Sequence, residues 1–269
     1  MAWFLFLVLE GWTFPYPTLG LGLIALIGLI DDWYSTRPLI RLLVQVISVT
    51  LMFVELTLFE LMPIWELVFL TFLCVATLNA INFMDGINGM TGLYFLVVMG
   101  WFYLSHDPSV IHTLIGFILV SLMVFGFFNF RKKAHFFAGD IGSLGIGYIT
   151  LFVLLYYASN SEPSGRSPIN YNYFLVLSVY GIDVFWTLIQ RLWQKENILT
   201  AHRKHLYQVL VNQFGWSHLV TAAMYASIQI ILLVAVLDIH SPLLMQAWWI
   251  ILLSGLYLAV KYKLISKSR

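Results

Sequence analysis

Charge is what this chain has least of. Only 10% of its 269 residues are Asp, Glu, Lys or Arg, and the formal net charge is +1. The overall balance therefore says nothing about partners, and only its distribution is informative. The one cysteine, Cys74, lies inside an apolar run, which excludes a disulfide framework and a thiolate metal site. Met1 to Trp12 has no basic n-region and no small-residue cleavage site, so it reads as a helix and not as a secretory signal. No polar stretch is long enough for a soluble domain, and the loop rich in Ser, Pro and Gly, Ser159 to Pro168, is a connector.

What fills the chain instead is hydrophobic: 61% of residues are apolar and the mean hydropathy is +0.87, values of an integral membrane protein. A spanning helix needs about 20 apolar residues. About ten runs approach this, near 1–13, 17–30, 39–60, 64–82, 91–105, 110–129, 142–159, 173–193, 217–237 and 245–261, the shorter ones being ambiguous. They are continuously apolar, whereas barrel strands alternate over about ten residues. The expected fold is an all-α polytopic helical bundle of about ten transmembrane helices, a single domain over 1–269. Counting sides from the first run puts thirteen of the fourteen basic residues on one face and only Arg166 on the other. Basic residues mark the cytoplasmic side.

The same count brings four polar segments to that face. Asp31-Asp32 close the second run, Asn79 to Asn88 close the fourth, Gly139-Asp140-Ile141-Gly142-Ser143 open the seventh, and His202-Arg203-Lys204-His205 follow the eighth. Carboxylates, amides and basic groups gathered at one face suit a hard cation and phosphate oxygens, because Mg²⁺ takes one or two carboxylates plus substrate phosphates. Each segment also has a plainer reading. Asp31-Asp32 reads equally well as a solvated interfacial pair. The Gly-Asp-x-Gly-Ser segment reads as a helix start capped by Asp140, or as a helix amino terminus that attracts anions while Asp140 holds a metal. A His pair in a basic loop is more often solvated than ligating; zinc is disfavoured because no further imidazole, thiolate or intervening Glu stands at the required spacing. Arg131-Lys132-Lys133 is most simply a topology anchor. Asp183, deep in the eighth run, is either a functional acid or a polar bridge to Thr187 at i+4. His106, His112, His218 and His240 are given no chemistry.

Taken together, Asp31-Asp32, Arg41-Leu42-x-x-Gln45, Asn79-x-x-Asn82-Phe83-x-Asp85-Gly86-x-Asn88-Gly89, Phe137-x-Gly139-Asp140-x-Gly142-Ser143 and His202-Arg203-x-His205-Leu206 resemble, in order and spacing, the polyprenyl-phosphate N-acetylhexosamine-1-phosphate transferases. The likeness covers essentially the whole chain. It is nearer the branch that moves GlcNAc-1-phosphate or a related sugar for surface polysaccharides than the MurNAc-pentapeptide branch of peptidoglycan synthesis, which carries a run of histidines where this chain has His202-Arg203-Lys204-His205.

The resemblance implies attack of undecaprenyl phosphate on the β-phosphorus of a UDP-N-acetylhexosamine, giving a polyprenyl-diphospho-sugar and UMP with Mg²⁺ or Mn²⁺, at the cytoplasmic face of a bacterial inner membrane. It implies that Asp140 and Asn82 hold the metal, that Arg41 contacts phosphates, and that Asp31 or Asp32 deprotonates or orients the lipid phosphate. Asn79 is a substrate-binding residue by the same token, Asp85 supports the site, Asn88 meets the uracil, and His202, Arg203 and His205 take the sugar N-acetyl group and the diphosphate. Donor, acceptor and membrane lipid are the expected partners; nucleic acid is not one, and a homodimer stays open. Relatives carry a further helix and a Pro-Thr-Pro-x-Gly-Gly-type loop ahead of the region equivalent to Met1 to Trp12. The expectation is an amino-terminally shortened form with weak or no activity until they are restored. Two readings from other classes compete: a transporter or channel, which would place polar groups at mid-membrane, with broken helices or repeated halves, and an inactive relative serving as a membrane scaffold.

Overall fold

The structure is a computed structural model that describes residues 2–34, 36–104, 109–161, 167–197, 202–235 and 243–267. Arg166, Ala201, His106, His240, Arg269 and half of the 159–168 connector lie outside them. Among the described residues every regular element is helical: α1 (Ala2–Glu10), α2 (Pro15–Tyr34), α3 (Pro38–Glu55), α4 (Leu58–Leu61), α5 (Ile64–Met84), α6 (Met90–Leu104), α7 (Val110–Asn129), α8 (Gly139–Asn160), a 3-10 segment (Tyr171–Leu177) leading into α9 (Ser178–Trp193), α10 (Leu206–Asn212), α11 (His218–Ala235) and α12 (Leu243–Lys267).

Each apolar run lies on a helix, yet not every helix is long enough to cross. Seven are by length and hydropathy: α2, α3, α5, α7, α8, the 171–193 segment and 246–264 of α12. The count of ten rests on α1, α6 and α11 in addition. At about 1.5 Å per residue, the nine residues of α1 rise only about 14 Å. α6 and α11 are shorter apolar helices, and α6 with α7 connects the end of α5 to the start of α8, which meet at Asn82 and Asp140.

The bundle is centred on α8, which packs against α2 and α5, while α2 also lies along α3, and α6 between α7 and α11. Small residues permit the closest approach. A Cβ on Gly28 would stand 2.7 Å from the Cα of Ile141, and one on Gly20 would overlap the Tyr148 hydroxyl. In a medium where apolar burial gives no drive for helix association, such close packing and buried hydrogen bonds hold helices together. Tyr148 accordingly donates to the Ser48 carbonyl at 3.0 Å, tying α8 to α3. The irregular entry to α9 is satisfied from α11, where Gln229 accepts from the Val179 N–H at 3.3 Å and from the Tyr94 hydroxyl at 2.7 Å. At bilayer depth the backbone groups released by a change of helix type require such a partner.

Candidate active site

The last turn of α2, the first turns of α3 and α8 and the last turn of α5 meet at one end of the bundle. There Asp31 of α2 pairs with Arg41 of α3, Nη1 to Oδ2 at 2.7 Å, and accepts from the backbone and hydroxyl of Thr36. The other guanidinium nitrogen of Arg41 reaches Asp140 of α8 at 3.6 Å. Asn82 of α5 donates to Asp140 at 2.8 Å and to Ser143 at 2.9 Å. Asp32 accepts from the N–H groups of Asp140 and Ile141, at 3.0 and 3.3 Å. The reading of Asp140 as the cap of its own helix does not hold: Asp32 fills that role from another helix, leaving the Asp140 side chain to Asn82 and Arg41. Gly139 allows this approach, since its φ is +61° and a Cβ would lie 2.9 Å from the Asp32 carboxylate.

The loop after α5 is fixed more tightly than its polar sequence suggests. Thr91 donates to Asp85, and burial pushes the Asp85 carboxyl up to about 6, with the negative charges of Asp140 and Asp32 adding to the rise. Asn88 is buried; its amide donates to the Arg131 carbonyl at 3.0 Å and its N–H to His218 Nδ1 at 3.3 Å. Asn129, at the end of α7, accepts from the Gly89 N–H and donates to the Phe136 carbonyl, both at 2.7 Å. Gly89 has φ +84°, a conformation glycine adopts without strain.

The histidine segment comes in beside α5. The Phe83 ring lies 6.3 Å from the ring of His202 and 6.4 Å from that of His205, and the Tyr207 hydroxyl donates to the Phe83 carbonyl at 2.9 Å. His205 is 1% exposed. Burial, with His205, Arg191 and Lys204 close by, pulls the His202 imidazole down to about 4, so it is neutral at neutral pH. Lys204 bonds Glu196, which also pairs with Arg191, anchoring the segment. Arg203 is exposed.

Thus Asp31, Asp32, Arg41, Asn82 and Asp140 are brought into one cluster, with Asp85 within electrostatic reach and Asn88, His202 and His205 on adjoining loops. Asn79 stands one turn deeper, donating to Gln45 and to the Val75 carbonyl, each at 2.8 Å, as a link between α5 and α3. Residues that pattern alone did not select include Thr91, Asn129, Tyr225, Tyr257 and Lys261. The last two had one signal, a Tyr and a Lys four apart on an otherwise apolar helix. Among the described residues no three His, Cys, Asp or Glu side chains converge as a self-sufficient metal cage. Asp140 and Asn82 are nonetheless adjacent and half-buried, the sparse set that suits Mg²⁺ with water and substrate phosphates, and the amide of Asn82 can present its oxygen by turning over.

Comparison with known proteins agrees with this arrangement. The model of the family described as glycosyl transferase family 4 matches residues 14–158, a stretch that contains Asp31, Arg41, Asn82 and Asp140. A probable undecaprenyl-phosphate N-acetylglucosaminyl 1-phosphate transferase of Bacillus subtilis is 28% identical over 263 residues, covering 90% of this chain and 70% of that protein. The undecaprenyl-phosphate alpha-N-acetylglucosaminyl 1-phosphate transferase of Yersinia pestis is 26% identical over 214 residues, 71% of this chain and 56% of its own length. A phospho-N-acetylmuramoyl-pentapeptide-transferase of Fervidobacterium nodosum is 36% identical over 104 residues, 38% of this chain and 33% of that protein. The chain therefore spans little more than half of the Yersinia protein. With the match running across α2 to α8 and through the whole carboxylate cluster, this multi-pass membrane chain belongs to glycosyl transferase family 4.

Proposed function

We propose that the chain transfers an N-acetylhexosamine 1-phosphate, GlcNAc-1-phosphate or a close relative, from a UDP-sugar to undecaprenyl phosphate at the cytoplasmic face of a bacterial membrane. An oxygen of the lipid phosphate attacks the β-phosphorus; the bond to the UMP oxygen breaks, and UMP leaves with the electron pair. The observation that carries this reading is the Asp31–Arg41–Asp140–Asn82 cluster at the end of an apolar bundle, where phosphates and a polyprenyl chain can meet. A groove of about 450 Å³ between α5, α9 and α12, lined by Leu73, Ile81, Tyr180, Phe185 and Ile250 among others, supports it. Its apolar wall suits an isoprenoid, and α5, which carries Ile81 in that wall, also carries Asn82.

Phosphoryl transfer of this kind depends on positioning and on offsetting charge. Arg41 is placed to take a phosphate oxygen on exchanging one carboxylate partner for it. Asp31, held by Arg41 and Thr36, orients the lipid phosphate. Asp140 and Asn82 would hold Mg²⁺ or Mn²⁺, whose charge would offset that of the diphosphate. Asn88 lies on the nucleoside side, and His202, Arg203 and His205 face the sugar diphosphate. A MurNAc-pentapeptide donor is the second reading, favoured by the Fervidobacterium relative and disfavoured by Arg203-Lys204 in place of further histidines.

The test is purified protein with radiolabelled UDP-GlcNAc, undecaprenyl phosphate and Mg²⁺. Formation of a labelled lipid with stoichiometric UMP, abolished by chelation, is expected. Transfer only from UDP-MurNAc-pentapeptide would establish the second reading, and no transfer from either donor would defeat both.

A further inference from the structure

Asp183 has no part in the transfer just described, yet it is the most heavily bonded carboxylate among the described residues. It is 0% exposed in α9. Its Oδ1 lies 3.2 Å from His205 Nδ1 and 3.1 Å from the Leu206 N–H. The Thr187 hydroxyl donates to it at 3.2 Å and the Tyr257 hydroxyl at 2.9 Å, while the Tyr225 hydroxyl donates to Oδ2. Behind this shell, Lys261 of α12 donates to Thr187 at 2.7 Å and to Tyr257 at 2.8 Å. The ammonium is thus placed to keep both hydroxyl protons turned toward Asp183.

A carboxylate accepts and does not donate. In the neutral ring the proton therefore belongs on Nδ1, facing Asp183, which leaves Nε2 as the acceptor. That Nε2 is buried and has no hydrogen-bond partner among the described residues, an arrangement that costs free energy unless a donor arrives. His202, with its ring centre 4.8 Å away, and Phe83 flank the same ring.

We propose that Asp183 is a positioning residue: it fixes the tautomer of His205 so that Nε2 accepts a hydrogen bond from an O–H or N–H of the donor sugar, and Tyr257 and Lys261 of α12 hold it there. This rests on the placement of His205 at the donor site. It extends that site to the last helix of the chain, whose own sequence shows no motif.

Histidine-¹⁵N NMR of the full chain in detergent reads the tautomer without substrate, the His205→Gln variant identifying the signal. The expected result is Nδ1–H in the wild type and Nε2–H in Asp183→Asn, whose amide turns a donor toward the ring. Partners that orient metal-ligating imidazoles are worth roughly 10–100-fold, and a loss of that size in kcat/KM for the UDP-sugar is expected for Asp183→Asn, with the lipid KM unchanged. In a His205→Gln background the same substitution should cost less than about twofold more, whereas a merely structural Asp183 would add its full loss. If Asp183→Asn does not fold, Tyr257→Phe takes its place in the cycle, with a smaller loss that likewise vanishes without His205. Nε2–H in the wild type, or full additivity, would overturn the proposal even in an active enzyme. No transferase activity together with Nδ1–H would instead defeat the proposed reaction and leave the Asp183–His205 pairing standing.

Discussion

Asp32 caps a helix to which it does not belong: its carboxylate lies 3.0 Å from the backbone nitrogen of Asp140, and so it holds the start of α8 while the Asp140 side chain takes other partners. Fold and chemistry are thereby divided between two acids. Asp140→Asn should keep the fold, because the cap is supplied by Asp32 and Asn82 can still donate to the new side-chain carbonyl. Turnover should fall by at least about 100-fold, the scale of losing one preorganised electrostatic group. Thermal unfolding in detergent and steady-state rates at varied Mg²⁺ check both halves; an active variant with an unchanged metal requirement would remove Asp140 from the metal.

The α2–α8 contact sets the distance between those acids. Gly28→Ala places a methyl carbon 2.7 Å from backbone at Ile141, which α8 can relieve only by moving. Overpacking of this sort costs about 1–3 kcal/mol, and the shift would pull Asp32 from the amides it caps. A lower Tm with a disproportionate loss of kcat is expected, although Gly28 touches no substrate. Gly22→Ala, with open space around its Cβ, is the control and should leave both unchanged.

Arg203 is exposed and outside the Lys204–Glu196–Arg191 network, so truncating it should not harm the fold. If it grips the donor, Arg203→Ala loses a charge-assisted hydrogen bond of roughly 1.5–3 kcal/mol, or roughly 10- to 150-fold in kcat/KM for the UDP-sugar. The apparent KM for undecaprenyl phosphate should hardly change. Kinetics with each substrate varied in turn decide this, and a defect confined to the lipid would transfer the residue to the acceptor side.

Asp85 gives a pH signature. Because its folded carboxyl is raised to about 6, above the ordinary value of 3.8, its contribution favours the fold fully below about pH 4 and is lost as pH rises through 6. In chelator, so that no cation offsets the charge, the Tm of the wild type should drop between about pH 4 and about pH 7 by more than that of Asp85→Asn. Parallel curves for the two proteins would show that Asp85 ionises normally.

Much of this architecture is legible in the sequence because bilayer burial writes itself as long apolar runs, and each run does lie on a helix. Helix length is less legible. The first run reads as thirteen residues but contributes nine to α1, since Gly11 takes φ +71° and ends it. The switch from 3-10 to α near Ser178 leaves no trace either, as Gln229, which satisfies it, is far along the chain. The acidic and amide cluster stands out because polar groups in apolar surroundings have few innocent explanations. Asp183 shows the opposite case. Its bond to Thr187 follows from helical spacing, whereas its bonds to His205, Tyr225 and Tyr257 join separate helices. Tyrosines in such a chain look like an interfacial belt, and Lys261 like a basic flank.

The cap that Asp32 places on α8 also orders events during synthesis. Asp32 and Ile141 are 109 residues apart, so at about 5–20 residues per second the amides emerge from the ribosome roughly five to twenty seconds after the carboxylate they meet. Asp31 and Arg41, only ten residues apart, are both synthesised before that interval ends and so can pair first. By sequence separation alone, the α2–α3 pairing is local and the α2–α8 cap is not. A chain stalled before α8 would carry an Asp32 without the amides it caps.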